Sequence, residues 1–166
     1  MDAKLENIKS FITEILEKEW TEQGHSMNSG KISSLEILID ESGEGAVIDV
    51  YGNKYLAYIN QGTDSSKIPF SPGSGKKTSK YIQGLQNYAK KRFGLDEKES
   101  LKAAFAIAYT QKREGMPTNN SYSFSNTGYR KDFIGQAFEN NKNDFDFKLI
   151  ETFSDMVKHE IDIIFK

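Results

Sequence analysis

The chain has 166 residues, 37% of them apolar and 12% aromatic, with a net charge of −2 and no cysteine. A length of this order fits one domain of roughly 100–200 residues with a core of its own. The missing thiols exclude disulfide frameworks, thiolate metal sites and cysteine nucleophiles.

Residues 2–23 predict an amphipathic helix. Leu5, Ile8, Ile12, Ile15, Leu16 and Trp20 recur at helical spacing, Glu6, Glu14, Glu17 and Lys18 take the opposite face, and Gly24 is the stop. Charges interrupt this segment throughout, so it has no apolar run of the kind a secretory leader needs. No window approaches the ~18 consecutive apolar residues of a membrane span, and a protein free of the membrane is expected.

After a loop at 25–31, residues 34–51 predict a β-hairpin. Leu35, Ile37 and Ile39 alternate on one strand, and Ala46, Ile48 and Val50 alternate with Val47, Asp49 and Tyr51 on the other. The connector ESGEG supplies the glycines that tight turns use. Residues 54–60 fit a third strand or a short helix, and the spacing of Tyr55 and Tyr58 leans to the helix.

Residues 62–79 predict an extended irregular loop, because Pro69, Pro72, Gly73 and Gly75 break both periodicities. A loop this long in a small domain is usually functional or mobile. Ser79 caps a helix over 80–93, with Tyr81, Leu85, Tyr88, Ala89 and Phe93 expected inward. Asp96, with Glu99 three residues on, opens a helix over 96–114 that turns Leu101, Ala104, Phe105 and Ala108 to one side. A polar loop follows at 116–130. Helices are then expected at 131–139 and 144–165, the last with a stripe of Leu149, Ile150, Phe153, Met156, Val157, Ile161 and Ile164. The pattern predicts an α+β fold in a single domain: a long N-terminal helix, a small antiparallel sheet, and two to four C-terminal helices packed on one face.

Charge is unevenly spread. Residues 65–95 carry seven Lys or Arg and no acid, whereas residues 1–64 carry five bases and twelve acids, a balance of −7. Such asymmetry concerns contacts and steering. It fits a solvated helix face, a subunit contact, or a wall facing DNA.

Recognised catalytic patterns are missing. His25 and His159 stand in no HExxH frame, no GxSxG occurs, and Gly73-Ser74-Gly75-Lys76-Lys77-Thr78 lacks the spacing and the preceding strand of a phosphate loop. Asp144, Asp146, Glu151, Asp155, Glu160 and Asp162 fit the solvated face of the last helix better than a metal site. Tyr81, Tyr88 and Phe93 beside Lys90, Lys91 and Arg92 suit either a core with a basic outer face or a nucleic-acid platform.

One stretch is more specific. Tyr55-Leu56-Ala57-Tyr58-Ile59-Asn60-Gln61-Gly62-Thr63, a polar spacer, then Ile68-Pro69-Phe70 resembles the central signature of minor tail or tail-completion proteins of tailed bacteriophages. That pattern has an aromatic pair, an acidic or polar residue, Gly followed by Thr or Arg, a spacer, and Pro-Pro or Pro-Phe. Downstream, Tyr88 to Gly94, Leu101 to Ile107 and Gly115-Met116-Pro117 follow the layout of one branch of the family. The resemblance covers about residues 51–117. Asn60 departs from the Glu of many members, and a Ser/Gly/Lys-rich insertion follows Phe70.

The resemblance implies a non-enzymatic virion protein of the neck or tail, made in the host cytoplasm, with no cofactor and no metal. Its partners are copies of itself in a hexameric or dodecameric ring, neighbouring connector, portal-proximal or tail proteins, and nonspecifically the genomic DNA. The interface candidates are Tyr55, Tyr58, Gly62, Thr63, Pro69, Phe70, Pro72, Lys76, Lys77 and Lys80. Gly62 is expected to allow a sharp exit from the preceding element, and Pro69 and Pro72 to stiffen the loop before it docks. Two other classes remain open: a nucleic-acid-binding module using residues 65–95, and a small metal-dependent hydrolase using dispersed carboxylates.

Overall fold

A computed structural model of the chain describes residues 2–26, 32–40, 47–73 and 79–164. The expected turn at 41–45, Ala46, most of the loop at 25–31, and Lys76 and Lys77 lie outside the described residues, as do the side chains from Asp155 onward. The fold is helix-rich α+β. Helix α1 spans Asp2–Glu22, strands β1 and β2 span Glu36–Asp40 and Val47–Tyr51, and α2 spans Lys54–Gln61. Then come α3 (Lys80–Phe93), α4 (Glu97–Glu114), α5 (Phe133–Asn140) and α6 (Lys142–Ile164). No helix among the described residues is long and apolar enough to cross a membrane.

Where one domain was expected, the chain forms two compact units. The first comprises residues 1–61 and 124–166; the second, residues 62–123, is inserted in the sequence of the first.

In the first unit the stripe of α1 behaves as its spacing predicts. Ile8, Ile12, Ile15, Leu16 and Trp20 are all buried. They meet Ile37, Leu56, Phe133 and Ala137, with Ile39, Ile48 and Val50 packed alongside. β1 and β2 pair antiparallel, with Ile37 opposite Val50 and Ile39 opposite Ile48. A two-stranded ribbon alone is marginal in water; here its inner face gains stability from burial against α1, at about 25 cal/mol per Å² of apolar surface. The Trp20 ring meets Phe133 edge-on at 5.2 Å between centroids and lies 4.4 Å from His25. His25, in the loop that follows α1 as expected, thus packs on a core aromatic.

α1 ends at Gly24, whose φ of +74° and close approach to Phe124 leave no room for a side chain: a Cβ there would lie 2.0 Å from the Phe124 carbonyl oxygen. The returning chain docks on this helix end, with Asn126 N–H donating to Glu22 O at 2.8 Å and Arg130 donating to Gln23 O. Among the described side chains of α6, Phe145 and Leu149 pack against this core and Thr152 is buried. Ile150, expected in that stripe, is 65% exposed.

The second unit builds a core of its own from α3, α4 and the segment 62–73. Ile68, Phe70, Ile82, Ala104 and Ala108 are buried there, flanked by Tyr81, Leu85, Leu101, Phe105 and Met116. Ala104 and Ala108 are 0% exposed, and their small side chains let α3 approach α4 closely. Both helices start on side-chain caps: Ser79 Oγ accepts from Ile82 N–H, and Asp96 Oδ1 from Glu99 N–H at 2.8 Å. The seam also holds a polar pair the sequence did not reveal. Ser100 and Gln86 are buried, and Gln86 Nε2 donates to Glu97 O at 3.1 Å and Ser100 Oγ at 3.4 Å.

Three expectations need correction. The loop at 62–79 is not irregular throughout: Ser65–Lys67 forms a 3-10 turn, and Ile68 and Phe70 are core residues. Tyr88 and Phe93 do not face inward. They are 51% and 56% exposed and pack edge-on against each other, because the buried face of α3 is set by Ile82, Gln86 and Ala89. The polar loop at 116–130 likewise contains a 3-10 turn, Asn119–Phe124.

Candidate functional site

The segment 55–70 folds as two devices joined end to end. The first is α2, the helix favoured by the spacing of its tyrosines. Leu56 anchors it in the core, and Tyr55 and Tyr58, three residues apart on one helix face, are 50% and 63% exposed. Its C-terminal end is fixed by Asn60, whose Oδ1 accepts Ile134 N–H at 3.0 Å and whose backbone oxygen accepts Asp132 N–H. Asn60 thereby supplies the cap for α5 that Asp132, at φ 56°, does not make with its own side chain.

The second device closes the base of the second unit. Thr63 N–H donates to Met116 O at 2.7 Å, and Met116 N–H donates back to Thr63 O at 2.8 Å. Gly115, at φ +83° and ψ −165°, lies in a region that only glycine occupies readily. A Cβ there would also stand 2.7 Å from Thr63 O. Gly62 has φ +75°, which matches the sharp exit expected of it. Residues far apart in sequence, Gly62-Thr63 and Gly115-Met116, therefore meet in one backbone clasp.

The remaining candidates separate. Pro69, Pro72 and Lys80 are exposed. Phe70 is 8% exposed and packs edge-on against Tyr109, with ring centroids 4.9 Å apart. Beside it, the carboxylate of Asp64 accepts Ser66 N–H at 2.8 Å, and Lys112 reaches Ile68 O at 3.2 Å. The Ser66 hydroxyl and backbone hold the Asp64 carboxyl below its usual pKa. Lys90 does the same for Glu97, and Arg113 with the Asn119 backbone for Glu114.

Of the six carboxylates expected on the solvated face of α6, Asp144, Asp146 and Glu151 are exposed, and the side chains of Asp155, Glu160 and Asp162 lie outside the described residues. Asp146 pairs with Lys142 at 2.7 Å, and Glu151 with Lys148 at 3.6 Å. Among the described residues no group of three or more His, Cys, Asp or Glu side chains is placed to hold a metal ion.

No protein-family model matches the chain, and neither a curated protein nor a solved structure is significantly similar to it.

Sequence reasoning passed over two further surfaces. One is the outer face of the hairpin, where Leu38, Val47 and Tyr51 are 46%, 56% and 52% exposed among Glu36, Asp40 and Asp49. Its signal was present: apolar residues at the alternate, outward register of both strands. The other is the outer stripe of α3, where Lys80, Gly84, Tyr88 and Lys91 recur at helical spacing and are all exposed. Reading Tyr88 as a core residue concealed it.

Proposed function

We propose that the chain is a non-enzymatic structural subunit of a tailed bacteriophage, one copy in a ring that joins the head or neck to the tail. The supporting observation is the exposure of Tyr55 and Tyr58 on a helix locked by Leu56 and Asn60. Large aromatics on a rigid support are what protein interfaces use as anchors, since little side-chain entropy is lost on docking. They fall in the segment that resembles the tail-completion signature. Surface complementarity repeated around an axis then supplies avidity that no single contact has.

The test is incorporation. A Tyr55→Ala/Tyr58→Ala chain should fold normally yet fail to enter particles, whereas wild-type chain enters in six or twelve copies. Normal incorporation of the double variant contradicts the assignment of the tyrosines, and absence of the wild-type chain from particles contradicts the role itself. Genes for portal, capsid and tail proteins beside its own are also expected.

A second reading is favoured by the outward turn of Tyr88 and Phe93 beside Lys91 and Arg92: a platform for nucleic acid. Its mark is affinity that falls steeply with salt, and binding that is absent or indifferent to salt rejects it.

A further inference from the structure

We infer that the outer stripe of α3 seats on the outer face of the β-hairpin of a second copy of this chain, forming a head-to-tail contact. The inference rests on the ring-subunit reading and names the two surfaces that would build the ring.

Charge supports the pairing first. Residues 32–53, which include the hairpin, hold Glu36, Asp40, Glu41, Glu44 and Asp49 and no Lys or Arg. Residues 76–95, which include α3, hold Lys76, Lys77, Lys80, Lys90, Lys91 and Arg92 and no acid. Lys90 is engaged with Glu97, so the outward charges at the two ends of the stripe are Lys80 and Lys91.

Spacing supports it next. Lys80 and Lys91 are eleven residues apart on α3, about 16 Å at the helical rise of about 1.5 Å per residue. Glu36 and Asp40 stand at the ends of the outward register of β1, about 13 Å apart at roughly 3.3 Å per residue. Flexible lysine side chains span the difference. Between these ends stand Leu38 and its cross-strand neighbour Asp49 on the hairpin, and Gly84 and Tyr88 on the helix, so a further carboxylate of the hairpin faces the basic helix.

Gly84 is the third observation. It lies inside α3, exposed, and a Cβ added to it meets nothing within 4 Å. A glycine inside a helix weakens it relative to alanine, and no contact among the described residues calls for one here. A gap at the middle of the stripe lets an opposing side chain such as Leu38 approach the helix backbone. Two different surfaces joined this way generate a closed ring or an open filament.

The chain has no cysteine, so introduced thiols report one contact cleanly. Gly84→Cys chains mixed with Leu38→Cys chains and a short bis-maleimide should link about tenfold faster than Gly84→Cys mixed with Lys102→Cys, which is exposed on α4. Lys80→Glu/Lys91→Glu and Glu36→Lys/Asp40→Lys should each weaken self-association about tenfold by sedimentation, and mixing the two variants should restore it. Normal oligomers despite both reversals, with no preferential Gly84–Leu38 link, overturn this inference and leave the ring reading standing. So does a link that forms within a doubly substituted chain at a rate independent of concentration. Chains that stay monomeric at every concentration and are missing from particles overturn both. Lys80→Glu/Lys91→Glu chains that lose a single-stranded oligonucleotide but still assemble assign the stripe to nucleic acid and overturn the inference.

Discussion

Asn60 caps a helix that begins beyond a whole inserted unit: its side-chain oxygen accepts the Ile134 N–H at 3.0 Å, across 74 residues. The backbone oxygen of Asn60 holds Asp132 as well. The first unit is therefore closed at the two points where the chain leaves it and comes back. Loss of a capping acceptor typically costs about 1 kcal/mol. Asn60→Ala should lower stability by about that amount in urea denaturation, while Asn60→Asp, which keeps the acceptor and adds a negative charge at the helix N-terminus, should remain near wild type.

Gly115→Ala tests the clasp of the second unit. The substitution combines a backbone region that only glycine tolerates with a Cβ 2.7 Å from Thr63 O. Strain of this kind costs of order 1–3 kcal/mol. The amides of Thr63 and Met116 should then exchange with deuterium far faster, while those of Ile12 and Leu16 in the first unit stay protected.

Gly84→Ala should have the opposite sign. Its methyl group meets nothing within 4 Å among the described residues, so α3 should gain about 1 kcal/mol of helix propensity, read as a higher Tm. The same variant should associate with itself less well, because the methyl fills the gap in the stripe. Stability and assembly moving in opposite directions would separate a surface glycine kept for contact from one that is merely tolerated.

Acid should loosen the second unit. Asp64, Glu97 and Glu114 all lie in it, and each is held below its ordinary value of 3.8, 4.5 and 4.5 by the hydrogen bonds described above. A carboxyl depressed in the folded state contributes stability above its unfolded pKa and loses it as pH falls through the folded one. The contribution is complete at neutral pH and fades below about pH 4.5. Carboxyl NMR titration should give midpoints below the ordinary values for these three, with amide protection of α3 and α4 declining in the same range.

The sequence made periodic elements legible and aperiodic ones obscure. The stripe Ile8, Ile12, Ile15, Leu16 and Trp20 identified the buried face of α1 because one surface buries all five. Alternation along β1 and β2 did the same for the hairpin. Ile68 and Phe70 carried no such signal: they are core residues in a segment with no repeating geometry, fixed by the long-range pairing of Thr63 with Met116. Tyr88 and Phe93 were misread for a related reason. Aromatics are read as core by default, yet α3 packs through Ile82, Gln86 and Ala89 against the small side chains of α4. The division into two units depends on contacts between residues far apart, such as Asn60 with Ile134, which no local pattern encodes.

The most direct test of the proposed role is the copy number and position of the chain in purified particles, from quantitative mass spectrometry of the particle together with imaging of the head–tail junction. Six or twelve copies in a closed ring at that junction is the predicted result. Particles that are complete and infectious with no copy of the chain would contradict it.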